Sequence, residues 1–169
     1  IVYKGFIFFG LINCLEAGAD HVGQPKVIEY NCRMGAPETE SVFPRIKSDV
    51  VKLFEHTWDG TLHDTQLEVD PRTAACVMMV AGGYPGHYEK GAPITGVSQV
   101  EGSLVFHAGT KLADDGTLLT NGGRVMCVTS FSESMPAALL QSYQELQKIH
   151  WDGIYYRHDI GQDLLKMMQ

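Results

Sequence analysis

The sequence lacks several features that each define a broad class of protein. Its longest apolar run, residues 74–81, has eight residues, which is too short for a transmembrane helix of about 20. Basic residues are in the minority, with 13 Lys and Arg against 20 Asp and Glu, and the net charge of −7 argues against a nucleic-acid-binding surface. No signal peptide is predicted, because no basic segment and cleavage site open the chain. The sequence therefore predicts neither a membrane nor a nucleic-acid partner.

Cysteine pairs of the kind that bind zinc are also missing. The cysteines at 14, 32, 76 and 127 form no C-x-x-C pair, and each lies in or beside an apolar run. We therefore expect four reduced thiols in the core, which is the usual state in the cytoplasm.

Glycine is abundant but unevenly distributed. Ten of the 18 glycines fall between Gly82 and Gly123, and the other 127 residues carry eight. The pairs Gly82-Gly83 and Gly122-Gly123 have two interpretations. They let the backbone approach a ligand closely, or they form tight corners of a small barrel. Without further information, the residues favour the second interpretation, in which the glycine pairs form tight corners.

The hydrophobic pattern predicts both strands and helices. Strands are expected at 3–13, 26–32, 73–81, 94–100, 104–108, 118–120, 124–130 and 155–160. Helices are expected at 48–58 and 136–150, with Ser48 and Ser134 as N-caps, and a shorter helical piece begins near Pro37. The first two strands should pair antiparallel across a turn at 15–24. The polar segment 59–72 is the best domain boundary.

The second strand carries the pattern with the most chemical information. Alternation places Glu29 and Asn31 on one face and Tyr30 on the other. Carboxylate and amide oxygens are hard ligands that suit Mg²⁺, and Arg33 extends the same face with a cation suited to phosphate. Magnesium ligands beside an arginine are what nucleotide-dependent phosphoryl transfer requires. By spacing alone, a polar strand face in solvent explains these residues at least as well.

The string E-x-N-x-R resembles the magnesium-binding strand of the ATP-grasp ligases. A larger set of segments resembles, in order and spacing, the phosphoribosylamine–glycine ligase family within that group. The segments are EYNCRMGAPETE at 29–40, RIKSD at 45–49, GGYPGHYEKG at 82–91, FHAGT at 106–110, TNGGRV at 120–125 and HWDGIYYRHDI at 150–160. The resemblance covers essentially the whole chain.

The resemblance implies an α+β fold in two parts. Residues 1–70 are expected to complete an antiparallel ATP-grasp sheet with its helices, and residues 71–169 to form a small β-rich, barrel-like C-terminal domain with one long helix. The family is longer on the N-terminal side, where a Rossmann-like domain and the ATP-binding lobes lie. The chain begins with Ile1 rather than Met. We therefore expect a part of a longer enzyme that is inactive alone.

The resemblance also implies a reaction of de novo purine synthesis. ATP phosphorylates the carboxylate of glycine, and the amine of 5-phosphoribosylamine attacks the resulting glycyl phosphate. Glycinamide ribonucleotide, ADP and phosphate are the products. ATP is then a co-substrate, Mg²⁺ or Mn²⁺ the metal, the location cytoplasmic, and the partners small molecules only, with a monomer favoured.

Single residues near the second strand match the family's functional positions. Glu29 and Asn31 match its magnesium ligands, and Arg33 matches the arginine after them, which we expect to stabilise the transferred phosphate. Glu38 matches the glutamate of the family's P-E pair, and it either binds a substrate amine or caps the next helix. Ala36 stands where the family usually has Asp, so a carboxylate beside the metal site is absent.

The glycine loops are expected to border the substrate cleft. Arg124 is the first candidate for binding the ribose phosphate and Lys90 the second, although each equally fits a surface charge. The substrate-binding set predicted in these loops is Gly82, Gly83, Lys90, Gly123 and Arg124.

Two other classes of function compete with this interpretation. Other ATP-grasp enzymes, such as biotin carboxylases, share E-x-N-x-R but lack the GGYPG and TNGGRV segments. A non-catalytic β-rich carrier would need an exposed lysine in a tight hairpin, and none of the predicted turns has one.

Overall fold

The computed structural model describes residues 2–14 and 23–167. The chain divides into two compact units. Unit 1 comprises Ile1–Thr39 and Ile46–Val69, and unit 2 comprises Glu40–Arg45 and Asp70–Gln169. The described strands are all antiparallel and accompany a few helices, which confirms the predicted α+β class. None of the helices in the described ranges has the length and apolarity needed to span a bilayer.

Unit 1 contains a two-stranded ribbon. Strand β1 (Phe8–Cys14) pairs antiparallel with β2 (Gln24–Asn31), as predicted, with a register shift between Gly10 and Leu11. The first strand begins at Phe8 rather than at residue 3. The turn predicted between the strands falls on residues 15–22, outside the described residues.

Helix α1 (Thr39–Val42) and a 3-10 turn (Phe43–Arg45) precede helix α2 (Val50–Asp59). The N-cap of α2 is Asp49, whose carboxylate accepts hydrogen bonds from the N–H groups of Val51 and Lys52 at 2.9 and 3.3 Å. The predicted cap at Ser48 is therefore wrong. The Ser48 hydroxyl instead accepts a hydrogen bond from the N–H of Glu68 at 2.8 Å. Gly60 ends the helix in the left-handed conformation that glycine favours.

Unit 2 is built on a four-stranded antiparallel sheet and a separate hairpin. The sheet contains β3 (Thr73–Ala81), β4 (Ser103–His107), β7 (Arg124–Ser132) and β8 (Ile154–Tyr156), in the spatial order β4-β7-β3-β8. Strands β5 (Thr110–Leu112) and β6 (Leu118–Thr120) form the hairpin. The segment predicted as a strand at 94–100 contains a 3-10 turn at Val97–Gln99 instead.

Helix α3 (Met135–Leu146) packs on β3 and β7, and a short helix α4 (Gln162–Met167) follows β8. Ser134 holds the N-cap position of α3 but makes no side-chain capping hydrogen bond. The helix ends before His150, which pairs with Thr95 in an isolated bridge. The core lies between α3 and the sheet; its buried residues include Val77, Met79, Val125, Val128, Leu146 and Trp151.

The cysteines differ in their exposure more than the sequence suggested. All four are free thiols, but only Cys127 is buried, whereas Cys14 and Cys76 are half-buried and Cys32 is exposed. The prediction of four core thiols is therefore wrong for Cys32.

Candidate active site

Glu29 and Asn31 lie on the same face of β2. In the β1–β2 register, Gly10 stands opposite Glu29 and Phe8 opposite Asn31. A Cβ added at Gly10 would lie 3.1 Å from the Glu29 Cγ atom, so the glycine leaves room for this side chain. The ring of Tyr30 contacts Phe9 on the opposite face. The predicted alternation is confirmed.

The two candidate ligands have different surroundings. The Glu29 side chain is exposed, whereas the Asn31 side chain is half-buried. The Asn31 Nδ2 atom is buried and has no hydrogen-bond partner among the described residues. Most buried polar atoms in proteins are paired, so this unpaired amide nitrogen needs an explanation.

The donor set fits a divalent metal in part. A carboxylate and an amide supply hard oxygen ligands, and Mg²⁺ usually takes one or two carboxylates and completes its shell with water and phosphate oxygens. No group of three or more His, Cys, Asp or Glu side chains able to hold a metal ion occurs in residues 2–14 and 23–167. Two oxygen ligands would leave the remaining positions of such an ion to water or phosphate oxygens.

Arg33 and Glu38 follow β2 in the same unit. Arg33 is exposed, and its Nη1 donates a hydrogen bond to the carbonyl oxygen of Met34 at 2.9 Å. The Glu38 carboxylate folds back against Gly35, where any side chain would overlap it. Glu38 directly precedes α1 and is exposed. Its two predicted roles, binding a substrate amine and capping the next helix, therefore both stay predictions.

In unit 2, the protein itself fills the space beside Gly82 and Gly83. The N–H of Gly82 donates to the carbonyl oxygen of Gly153 at 2.6 Å, and an added Cβ at Gly82 would lie 2.8 Å from that oxygen. Gly83 has a φ of +92°, and a side chain there would overlap the carbonyl oxygen of His87. This crowding favours the interpretation of the pair as a tight corner.

Gly123 is covered by an aromatic ring. A Cβ at this position would overlap the ring of Tyr84, and the Gly123 carbonyl oxygen accepts a hydrogen bond from the N–H of Ala81 at 2.8 Å. No motif in the sequence predicted a role for Tyr84. Tyr84 directly follows the first glycine pair, and the second pair lies further along the chain. These positions were the only signal in the sequence that could have pointed to the contact.

Lys90 contacts the aromatic pair of this loop, and Arg124 follows Gly123 in the chain. The Lys90 Nζ atom is 6.0 Å from the ring centroid of Tyr88, and that ring lies edge-on to Tyr84 with centroids 5.9 Å apart. Arg124 directly follows Gly123 and begins β7 with an exposed side chain. The structure thus joins the two predicted substrate loops of unit 2 through Tyr84.

The buried thiol of Cys127 is not suited to nucleophilic catalysis. A hydrogen bond with Cys76 is the main cause that raises the pKa of the Cys127 thiol, and burial raises it further. Because the thiolate is the nucleophilic form, Cys127 is an inert core thiol at neutral pH.

The chain is similar to proteins of known activity. Residues 74–163 match the C domain of phosphoribosylglycinamide synthetase. The phosphoribosylamine–glycine ligase of Escherichia coli K12 is 45% identical over 161 residues, which cover 94% of this chain. The enzyme of the same name from Pseudomonas aeruginosa is 44% identical over 162 residues.

A solved structure shows the same similarity in three dimensions. The crystal structure of phosphoribosylamine–glycine ligase from Thermotoga maritima superposes with a TM-score of 0.75 and 35% identity over 93% of this chain. The chain spans 36% of the length of the Escherichia coli and Pseudomonas relatives and 37% of the Thermotoga chain.

Proposed function

Because the chain belongs to the phosphoribosylglycinamide synthetase family, we propose that it forms part of an ATP-dependent ligase that joins glycine to 5-phosphoribosylamine. The observation that carries this proposal is the face of β2 that presents Glu29 and Asn31 together, two residues before Arg33. The sequence match extends from this strand through the whole C domain.

The residues of β2 and its continuation would act on the phosphates of ATP. Glu29 and Asn31 would hold a Mg²⁺ or Mn²⁺ ion, which when bound neutralises charge on the transferring phosphoryl group. Arg33 would place a fixed, planar cation against the phosphoryl group as it passes to the glycine carboxylate. Release of its bond to the Met34 carbonyl would leave Nη1 free for this contact.

The remaining predicted residues would bind substrates. Glu38 would accept a hydrogen bond from a substrate amine, and Lys90 and Arg124 would bind the ribose phosphate by charge. Gly82, Gly83 and Gly123 would shape the loops that carry these two cations, because their own surroundings are already filled. Residues 1–70 would then belong to the ATP-grasp domain and residues 71–169 to the C-terminal domain.

The reduced thiols and the small, polar substrates suit a reaction in the cytoplasm. We propose a monomer that binds only small molecules. An acyl phosphate intermediate, glycyl phosphate, fits the position of Arg33 after the metal ligands.

A hybrid enzyme tests the proposed function. The segment of the Escherichia coli ligase that aligns with this chain is replaced by the chain itself, and release of phosphate is measured with ATP, glycine and 5-phosphoribosylamine. We expect phosphate release that requires all three substrates. The 169-residue chain alone should show neither release nor ATP binding.

A folded hybrid that releases no phosphate would contradict the proposal. Turnover by the 169-residue chain alone would contradict the expectation that residues outside it are essential.

A further inference from the structure

One asparagine of the chain lies where the next residue favours a chemical modification. Of the three asparagines, at positions 13, 31 and 121, only Asn121 is followed by glycine. An asparagine side chain can react with the backbone nitrogen of the residue after it. Glycine hinders this approach least, because it has no Cβ. The segment TNGGRV at 120–125 therefore contains the asparagine that the sequence makes most prone to deamidation.

The structure leaves the two reacting groups accessible. Asn121 is exposed, and its side-chain amide makes no hydrogen bond to any residue in the ranges 2–14 and 23–167. The backbone N–H of Gly122 donates to no backbone acceptor within the same ranges. By contrast, the amide nitrogen of Asn31 is buried. The loop between β6 and β7 therefore offers both an unbonded amide and an unbonded backbone nitrogen next to it.

The packing of unit 2 requires glycine at position 122. A Cβ added there would lie 2.9 Å from the Cα atom of Gly109, which is too close for a side chain. Backbone hydrogen bonds hold the two segments together on both sides of this contact. The Asn121 N–H donates to the Gly109 carbonyl oxygen at 2.7 Å, and the Gly109 N–H donates to the Arg124 carbonyl oxygen at 2.8 Å. The same packing that fixes this loop therefore places glycine directly after Asn121.

We propose that Asn121 is a site of spontaneous deamidation in the folded protein. The backbone nitrogen of Gly122 loses its proton and attacks the side-chain carbonyl carbon of Asn121. A C–N bond forms, the bond to the amide nitrogen breaks, and ammonia leaves, which closes a cyclic imide. Water then opens the imide at either of its carbonyl groups and yields aspartate or isoaspartate. Water is the only co-reactant, and no electrons are exchanged.

Deamidation would change the loop that carries Arg124. Both products add a negative charge three residues before Arg124, which is the first candidate for binding the ribose phosphate. A negative charge near this site repels the phosphate. Isoaspartate also lengthens the main chain by a methylene group beside the contact with Gly109. We therefore expect weaker binding of 5-phosphoribosylamine, a consequence that rests on the proposed function, whereas the modification itself does not.

Peptide mass spectrometry of the 169-residue chain, aged in mildly alkaline water enriched in heavy oxygen, tests the modification. Asn121 should exchange its amide for a heavy oxygen at least about 10-fold faster than Asn13 and Asn31, because only Asn121 precedes glycine. Asn121→Gln is the matched variant and should keep its amide, because its longer side chain closes the ring less readily. If Asn121 loses its amide only after the chain is unfolded in urea, the folded loop protects it and the proposal is overturned.

Kinetics of the hybrid enzyme described above test the consequence. Asn121→Asp reproduces the charge of one product, and it should raise the KM for 5-phosphoribosylamine by at least about 3-fold without changing the KM for ATP, because the added charge repels the ribose phosphate. Gln144→Glu adds the same charge at an exposed position of α3, and it should leave both constants unchanged. An unchanged KM for 5-phosphoribosylamine in Asn121→Asp would overturn the assigned consequence.

The outcomes distinguish this proposal from the proposed function. Loss of the Asn121 amide in the folded chain, together with a folded hybrid that has no ligase activity, would support the modification and contradict the function. An active hybrid in which Asn121 keeps its amide as long as Asn13 and Asn31 would support the function and overturn the modification.

Discussion

Tyr84 and Gly123 form a contact that explains part of the glycine density at the level of single residues. The Tyr84 ring occupies the space that a side chain at position 123 would need, 39 residues away in sequence. The alternation that placed Glu29 and Asn31 on one face is local and was predictable. The Tyr84–Gly123 contact was not, because no pattern in the sequence reports which loops meet in space.

Gly123→Ala should destabilise unit 2 by about 1–3 kcal/mol, because overpacking displaces the Tyr84 ring. The measurement is the free energy of unfolding in urea. The double variant Tyr84→Ala/Gly123→Ala should lose less free energy of unfolding than the sum of the losses in the two single variants. Without the Tyr84 ring, the new side chain at position 123 has nothing to clash with. Gly116→Ala is the control for a glycine with open space around it, and it should cost only the strain of its φ of +83°. Additive single effects would contradict the contact.

Arg33→Lys should lower turnover of the hybrid enzyme by about 10-fold or more, because a lysine cannot reproduce the planar fork that binds a phosphoryl group at two points. Lys52→Arg, on the exposed surface of α2, is the matched control and should leave turnover unchanged. Normal turnover of Arg33→Lys would remove Arg33 from the proposed mechanism.

At the level of elements, the strands with strong local signals were predicted well and the connections less so. Strand β3 has the predicted bounds, because a continuous apolar run fixes a central strand. The segment 94–100 has a strand-like composition, but isolated bridges connect Pro93 to Leu119 in β6 and Thr95 to His150, which follows α3. Tertiary pairing therefore decides the structure of this segment. Strand β5 was missed because three residues carry too little pattern, although the turn at Asp114-Asp115-Gly116 was identified.

A buried hydrogen-bond network connects α3 to the sheet. The Ser142 Oγ atom lies 2.7 Å from the Ala75 carbonyl oxygen and 2.9 Å from the Ser130 Oγ, and Ser130 in turn lies 2.7 Å from Ser103. Ser142→Ala should lower the free energy of unfolding by about 1–2 kcal/mol, because buried groups lose a partner. Urea unfolding followed by circular dichroism measures this. Gln144→Ala, exposed on the same helix, should be nearly neutral, and an equal loss in both variants would contradict the role of the network.

A carboxylate near the end of α3 should make the stability of unit 2 depend on pH. The Glu145 carboxylate accepts hydrogen bonds from Lys148 Nζ at 2.8 Å and from the N–H of Glu101 at 2.7 Å, and these bonds lower the pKa of Glu145. A folded-state pKa below the unfolded value adds stability above the unfolded pKa of about 4.3, and this stability is lost as the pH falls through the folded pKa.

Glu145→Gln should therefore remove about 1 kcal/mol of stability at pH 7 and much less at pH 3. Unfolding midpoints measured across this range check the difference. Glu89→Gln is the matched control, since Glu89 has a side chain that is 91% exposed. A loss of stability that is the same at both pH values would show that the charge of Glu145 is not the cause.

At the scale of the whole molecule, the two units differ in how much hydrophobic core they bury. Unit 2 has a sheet, a covering helix and a buried core, whereas unit 1 carries the candidate metal ligands on a ribbon with no buried hydrophobic side chain among its described residues. The proposed ligase function requires that β2 supply the metal ligands.

The magnesium dependence of the hybrid enzyme tests that claim most directly. Glu29→Gln keeps the shape of the side chain and removes its charge, while Glu55→Gln makes the same change at an exposed position of α2. We predict that Glu29→Gln raises the Mg²⁺ concentration for half-maximal turnover by at least about 10-fold and lowers turnover at saturating Mg²⁺, because the ligand charge is lost. Glu55→Gln should match the unsubstituted hybrid. A Mg²⁺ dependence of Glu29→Gln indistinguishable from that of Glu55→Gln would contradict the account.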